Sequence, residues 1–120
     1  MYLIRRTYKT KPYEAVNVAK LVKEQADLYT SLGQRSDTRV YFNNGTTPGE
    51  PNRVYLEWTA EIFDNPSREG NEIPKEIYEL GSKYRPLLDN SNGPTNWIEF
   101  WTILDSVSYT HLTLPTNREV

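Results

Sequence analysis

Arg53-Val54-Tyr55-Leu56-Glu57-Trp58-Thr59-Ala60 alternates strictly, with Val54, Leu56 and Trp58 on one side and Tyr55, Glu57 and Thr59 on the other. A period of two is the pleat of a β-strand, and one wholly apolar side beside one mixed side marks a half-buried antiparallel strand. Just before it, Asn44-Gly45-Thr46-Thr47-Pro48-Gly49-Glu50-Pro51-Asn52 is a dense cluster of turn residues. Before that, residues 38–43 read as a second strand with Val40 and Phe42 on one face. The two strands are expected to pair antiparallel across the loop.

Towards the N-terminus, residues 2–9 read as a strand, with Tyr2, Ile4 and Tyr8 on a shared face, and Lys11-Pro12 ends it. Residues 13–32 carry the clearest helical pattern: Ala15, Val18, Ala19, Val22, Ala26 and Tyr29 recur at helical spacing, and Leu21, Leu28 and Leu32 widen the stripe. Pro12 suits the first helical position, Glu14 suits the positive end of the helix dipole, and Gly33 suits the left-handed residue that ends a helix. Towards the C-terminus, the polar residues 64–72 read as a solvated connection, with a short helical turn or a lid as the alternatives. Pro74 opens a second helix on which Ile73, Ile77, Leu80, Tyr84 and Leu88 form one face; Gly81 weakens it and Pro86 ends or kinks it. Asn90-Ser91-Asn92-Gly93-Pro94 is a loop, and residues 97–104 are a fourth strand rich in aromatic and β-branched residues.

The order β-α-β-β-α-β is that of an α+β, ferredoxin-like split βαβ plan: a four-stranded antiparallel sheet with two helices on one face. Each crossover is expected to be right-handed and to join parallel neighbours. The face under the helices would carry Tyr2, Ile4, Tyr8, Val40, Phe42, Val54, Leu56, Trp58, Ile98, Phe100 and Leu104. The bare face would carry Leu3, Arg5, Arg39, Tyr41, Tyr55, Glu57, Trp97, Glu99, Trp101 and Ile103. Such an aromatic surface would leave several hundred Å² of apolar area in water at about 25 cal/mol per Å². A homodimer through this face is therefore expected, enclosing a cavity about a two-fold axis.

Composition narrows the functions. The chain has 120 residues, a formal charge of -2 and 25% charged residues. It lacks the basic footprint of a nucleic-acid binder, and no apolar run approaches the length that spans a bilayer. No long apolar stretch follows the charges near Met1, so a cytoplasmic protein without a leader is expected. With no cysteine, disulfides, thiol nucleophiles and iron–sulfur ligation are excluded. Asn44-Gly45-Thr46 matches a glycosylation acceptor and is read as a turn. There is no phosphate loop, dinucleotide fingerprint, catalytic triad or internal repeat. Glu72, Glu76 and Glu79 read as a wet helix face and no metal set.

The C-terminus is of a different kind. Val107-Ser108-Tyr109-Thr110-His111-Leu112-Thr113-Leu114-Pro115-Thr116 resembles the translation of a transposon-based sequencing adapter, GTC TCT TAT ACA CAT CTG ACG CTG CCG ACG. The adapter frame continues through an index to Val120 and a stop. Residues 107–120 are accordingly set aside as an adapter-derived tail from an assembled, metagenomic read, and residues 1–106 as the single informative domain. The only histidine, His111, lies in that tail. Residues 1–106 thus offer no imidazole as base, metal ligand or haem ligand.

The element order, the opening Met1-Tyr2-Leu3-Ile4-Arg5-Arg6-Thr7-Tyr8, and the strands Arg39-Val40-Tyr41-Phe42 and Val54-Tyr55-Leu56-Glu57-Trp58 together resemble the dimeric α+β barrel superfamily, and within it NIPSNAP-type proteins. The resemblance covers nearly all of residues 1–105 and includes no catalytic signature. It implies a small barrel protein binding a ligand in a cavity at the sheet face, between helices and sheet, or at the dimer interface. The superfamily also holds haem-using members and cofactor-independent monooxygenases of the antibiotic-biosynthesis type. The missing histidine speaks against haem, and no cofactor is expected. In the monooxygenase alternative, Tyr41, Tyr55, Trp97 and Trp101 would wall an aromatic substrate. Arg5 or Arg39 would then stabilise an anion, and Glu57 or Glu99 would accept a proton. The same eight residues are the candidate ligand-binding set. The plainer reading of Arg5, Arg39, Glu57 and Glu99 is cross-strand ion pairing inside an interface, and it is preferred. Trp58 reads as core, while Trp97 and Trp101 read equally as interface or pocket wall. The partners expected are a second copy of the chain and a small aromatic or apolar ligand.

Overall fold

The computed structural model describes residues 1–62 and 73–104. The readings of 64–72 and of 107–120 fall outside the described residues. In chain order the elements are β1 (Tyr2–Lys9), α1 (Ala15–Ser31), β2 (Arg39–Asn43), β3 (Arg53–Ala60), α2 (Lys75–Tyr84), a 3-10 turn (Arg85–Leu87) and β4 (Asn96–Thr102). The strands form one antiparallel sheet in the order β2-β3-β1-β4, an α+β arrangement compatible with the ferredoxin-like plan. The crossovers do not join neighbours. β3 lies between β1 and β2, and β1 lies between β3 and β4, so each parallel pair is split by an antiparallel strand.

The register makes the two faces explicit. Under the helices run the cross-strand rows Phe42–Val54–Tyr8–Asn96, Val40–Leu56–Arg6–Ile98 and Trp58–Ile4–Phe100. Ile4, Tyr8, Val54, Leu56 and Trp58 are buried there against Ala15, Val18, Ala19, Val22 and Ala26 of α1, the stripe the helical spacing predicts. At about 1.5–3 kcal/mol for each large apolar side chain buried, this layer is the main stabilising term. α2 packs against α1 through Ile77 and Leu80, and the Gln25 amide donates to the Ile77 carbonyl at 2.8 Å.

Several boundaries differ from expectation. Tyr13 sits at φ 67 and is exposed, so α1 begins at Ala15 with Glu14 as its cap and Pro12 outside the helix. Leu32 is not part of the stripe; it caps α1 and is exposed. α2 ends at Tyr84, and Pro86 lies in the 3-10 turn. Leu88 is buried as expected, but it gets there by a β-bridge to Thr10 rather than on a helix face. β4 ends at Thr102, which leaves Leu104 beyond the strand and exposed. Phe42 and Ile98 share the inner face but are exposed, because each lies on an edge strand that the helices do not fully roof. Among the described residues, no helix is long and apolar enough to cross a membrane.

Candidate functional site

The outer face of the sheet carries all eight candidate residues, arranged in rows across the strands. One row reads Tyr41–Tyr55–Thr7–Trp97. The next reads Arg39–Glu57–Arg5–Glu99, alternating in charge from edge to edge. Leu3 and Trp101 continue beyond it. Alternation along each strand puts these side chains on the side opposite the core, and antiparallel register sets opposite charges side by side. Thr7 is buried although it points away from the helices, lying between Tyr55 on one neighbouring strand and Trp97 on the other.

Glu57 is the centre of the polar row. Its Oε2 accepts from Arg5 Nε at 2.9 Å and lies 2.8 Å from the second Arg5 nitrogen, while its Oε1 accepts from the Tyr41 hydroxyl at 3.2 Å. The Glu57 side chain is only 13% exposed, so this pairing meets its need for donors. Arg5 also lies over the Tyr55 ring at 5.2 Å from the centroid. The structure thus brings Arg5, Tyr41, Tyr55 and Glu57 together. It leaves Arg39 and Glu99 at opposite edges, with no ion pair to either among the described residues. Tyr41, Trp97 and Trp101 are exposed, Trp101 at 53%. A carboxylate held by a guanidinium and a phenol is committed to those partners, so Glu57 is poorly placed to accept a substrate proton.

Two further features lie on the helix side. An open groove of about 480 Å³ between α1 and α2 is lined by Glu24, Asp27, Glu76, Glu79, Lys83 and neighbouring residues; this is where the structure puts Glu76 and Glu79. The second feature is Arg35, which the sequence did not single out. Gly33, at φ 74, closes α1 with a paired turn: the Gly33 N–H donates to the Thr30 carbonyl and the Gln34 N–H to the Tyr29 carbonyl, both at 3.0 Å. The chain then doubles back. Ser36 Oγ donates to the Thr59 carbonyl at 2.8 Å and accepts from the Thr59 N–H at 3.2 Å, tying the loop to β3. Between these fixings the Arg35 guanidinium is sandwiched, 4.0 Å from the Tyr29 ring and 4.0 Å from the Trp58 ring. Burial lowers its pKa from the ordinary arginine value, and the Tyr29, Tyr8 and Tyr84 phenols act against that. Trp58 is therefore core, as expected, and also one jaw of a clamp. Residues separated by 6 and 23 positions meet here, and no local spacing signals it.

No protein-family model matches the chain, and no curated protein matches it. The fold and the geometry of these two faces carry the reading of function.

Proposed function

We propose that the protein is a NIPSNAP-like small barrel that works as a homodimer, joined through the outer sheet face, and holds a small aromatic or apolar ligand against that face. The observation that carries this reading is the pattern of the face itself. Aromatic and apolar rows flank a charge row whose inner pair, Arg5 and Glu57, is matched within the chain, while Arg39 and Glu99 stand at opposite edges. A two-fold axis lying along the strand direction sets the β2 edge of one copy over the β4 edge of the other, so the positive edge of one copy meets the negative edge of its partner. Exposed aromatic side chains contribute most when an association buries them. Native mass spectrometry of the purified protein is the test. The reading expects a two-chain mass that carries a small molecule. A one-chain mass at micromolar concentration, with nothing bound, would refute it.

A cofactor-independent monooxygenase is the second reading, and it rests on Arg39 and Glu99 rather than on the committed Glu57. Aerobic and anaerobic incubation with a panel of polyphenols separates the two. Oxygen uptake abolished in Arg39→Gln supports the enzyme, and its absence across the panel removes it.

A further inference from the structure

Arg53, two residues before Tyr55, and Lys9, two residues after Thr7, stand directly opposite each other on β3 and β1. With Asn43 on β2 they make a further outer-face row, Asn43–Arg53–Lys9, beside the aromatic row Tyr41–Tyr55–Thr7–Trp97. Neighbouring strands are about 4.8 Å apart, and like charges directly opposite each other cost stability. Each cation is steadied from the loops at this end of the sheet. Arg53 Nη1 donates to the Pro51 and Asn52 carbonyls at 3.1 and 3.3 Å, and its Nη2 lies 3.4 Å from Glu50 Oε2. Lys9 Nζ donates to the Asn92 carbonyl. The neighbouring Asp89 carboxylate accepts from the Ser91 N–H and hydroxyl. A guanidinium carries five N–H donors and an ammonium three, so both cations keep donors beyond these contacts.

The two-fold of the proposed dimer acts differently on each row. An axis along the strands lays every row over the same row of the partner, in reverse order. The charge row closes on itself: Arg39 meets the partner's Glu99, and Glu57 meets the partner's Arg5. The aromatic row sets Tyr41 over the partner's Trp97. The cation row cannot close in this way. Arg53 lies over the partner's Lys9, and Lys9 over the partner's Arg53, so four cations surround the axis. Glu50 offsets Arg53 from the loop and leaves this juxtaposition in place. Facing sheets stand about 10 Å apart, which gives room for one anion among the four side chains.

We propose that the dimer binds one aromatic carboxylic acid on its two-fold axis, with the carboxylate among Lys9 and Arg53 of both copies and the ring against the adjoining aromatic row. The inference rests on the homodimer reading above and names the ligand of that same face. Successive rows on one face are about 6.8 Å apart, so a single-ring acid reaches from the cations to the aromatic side chains. Guanidinium and ammonium groups bind carboxylates through charge-assisted hydrogen bonds, and aromatic rings pack offset or edge-on against one another. The anion also relieves the repulsion that association creates, so acid and dimer stabilise each other.

Calorimetric titration of the full chain with sodium benzoate tests this, at chain concentrations where light scattering gives a two-chain mass. Benzamide is the neutral comparison, and sodium phosphate is the anion without a ring. Benzoate is expected to bind about tenfold or more tighter than either, about 1.4 kcal/mol or more. It is expected to saturate at one per two chains and to weaken as sodium chloride is added. Lys9→Gln is expected to keep the two-chain mass and lose the preference for benzoate over benzamide, which Lys9→Arg retains. A two-chain protein that binds benzoate no tighter than benzamide or phosphate, or binds none of them at millimolar concentration, overturns this proposal and leaves the dimer standing. Saturation at one benzoate per chain, or a Lys9→Gln dimer with its preference intact, also overturns it. A one-chain mass at micromolar concentration overturns the dimer, and this site with it.

Discussion

Replacing Arg5 and Glu57 singly and together measures how far the polar row is an internal ion pair. The contact is close, 2.8 and 2.9 Å to one carboxylate oxygen, and the Glu57 side chain is 13% exposed while that of Arg5 is 40% exposed. Fully exposed pairs couple by about 0.2–1 kcal/mol, and breaking a buried pair costs about 3–5 kcal/mol. This pair lies between those limits. Only one oxygen is used by Arg5, and water reaches the guanidinium, so a coupling of about 1–2 kcal/mol is expected. Arg5→Met keeps the apolar stem over Tyr55 and removes the charge; Glu57→Gln keeps an acceptor for the Tyr41 hydroxyl. The assay is urea unfolding of wild type, both single variants and the double variant. It is run at two protein concentrations, because association would make stability concentration-dependent. Coupling should fall at high salt, since the pair is partly solvated. Additivity within about 0.3–0.5 kcal/mol would refute the pairing and return Glu57 to the pool of free carboxylates.

Further outcomes follow from the packing. Gly33→Ala should cost about 1–2 kcal/mol in thermal or urea unfolding, because a side chain is forced to φ 74 with nothing nearby to compensate. Gly81→Ala, in α2, should instead stabilise by about 0.5–1 kcal/mol, since the added Cβ meets only ordinary contacts at 3.5 and 3.6 Å from Gln25 and Arg85. Ile4→Ala, at the centre of the inner face and 1% exposed, should cost about 2–5 kcal/mol by the same measurement. The side-chain and backbone hydrogen bonds from Ser91 hold the Asp89 carboxyl below its ordinary pKa. A lowered folded-state value stabilises above the unfolded pKa and is lost as pH falls through the folded one. Asp89→Ala should therefore be less stable than wild type at neutral pH, and the difference should shrink as pH falls below the ordinary aspartate range.

The strands and helices were legible because their periods are plain. The alternation of Val54, Leu56 and Trp58 and the stripe from Ala15 to Tyr29 each match the observed inner layer. Alternation also placed every candidate residue from Leu3 to Trp101 on its correct side of the sheet. It tells which side a residue faces, but not whether anything lies over it. That is why Phe42 and Ile98, on edge strands, share the core side and yet meet water. The pairing of Glu57 with Arg5 rather than with Arg39 was also out of reach: both arginines stand opposite it in the register, and side-chain reach decides between them. Arg35 left no trace at all. Its surroundings are assembled by a helix-ending turn and a serine clip that bring a loop onto two distant rings.

The proposed interface between two copies lies on the outer sheet face. Light scattering across the micromolar range, on wild type, Trp101→Glu and Lys20→Glu, tests it most directly. Trp101 is exposed on the outer face, and Lys20 is exposed on α1, with no ion pair among the described residues. A two-chain mass is expected for wild type and Lys20→Glu, and a one-chain mass for Trp101→Glu. A wild-type monomer would contradict it, as would a dimer that survives Trp101→Glu and dissociates in Lys20→Glu.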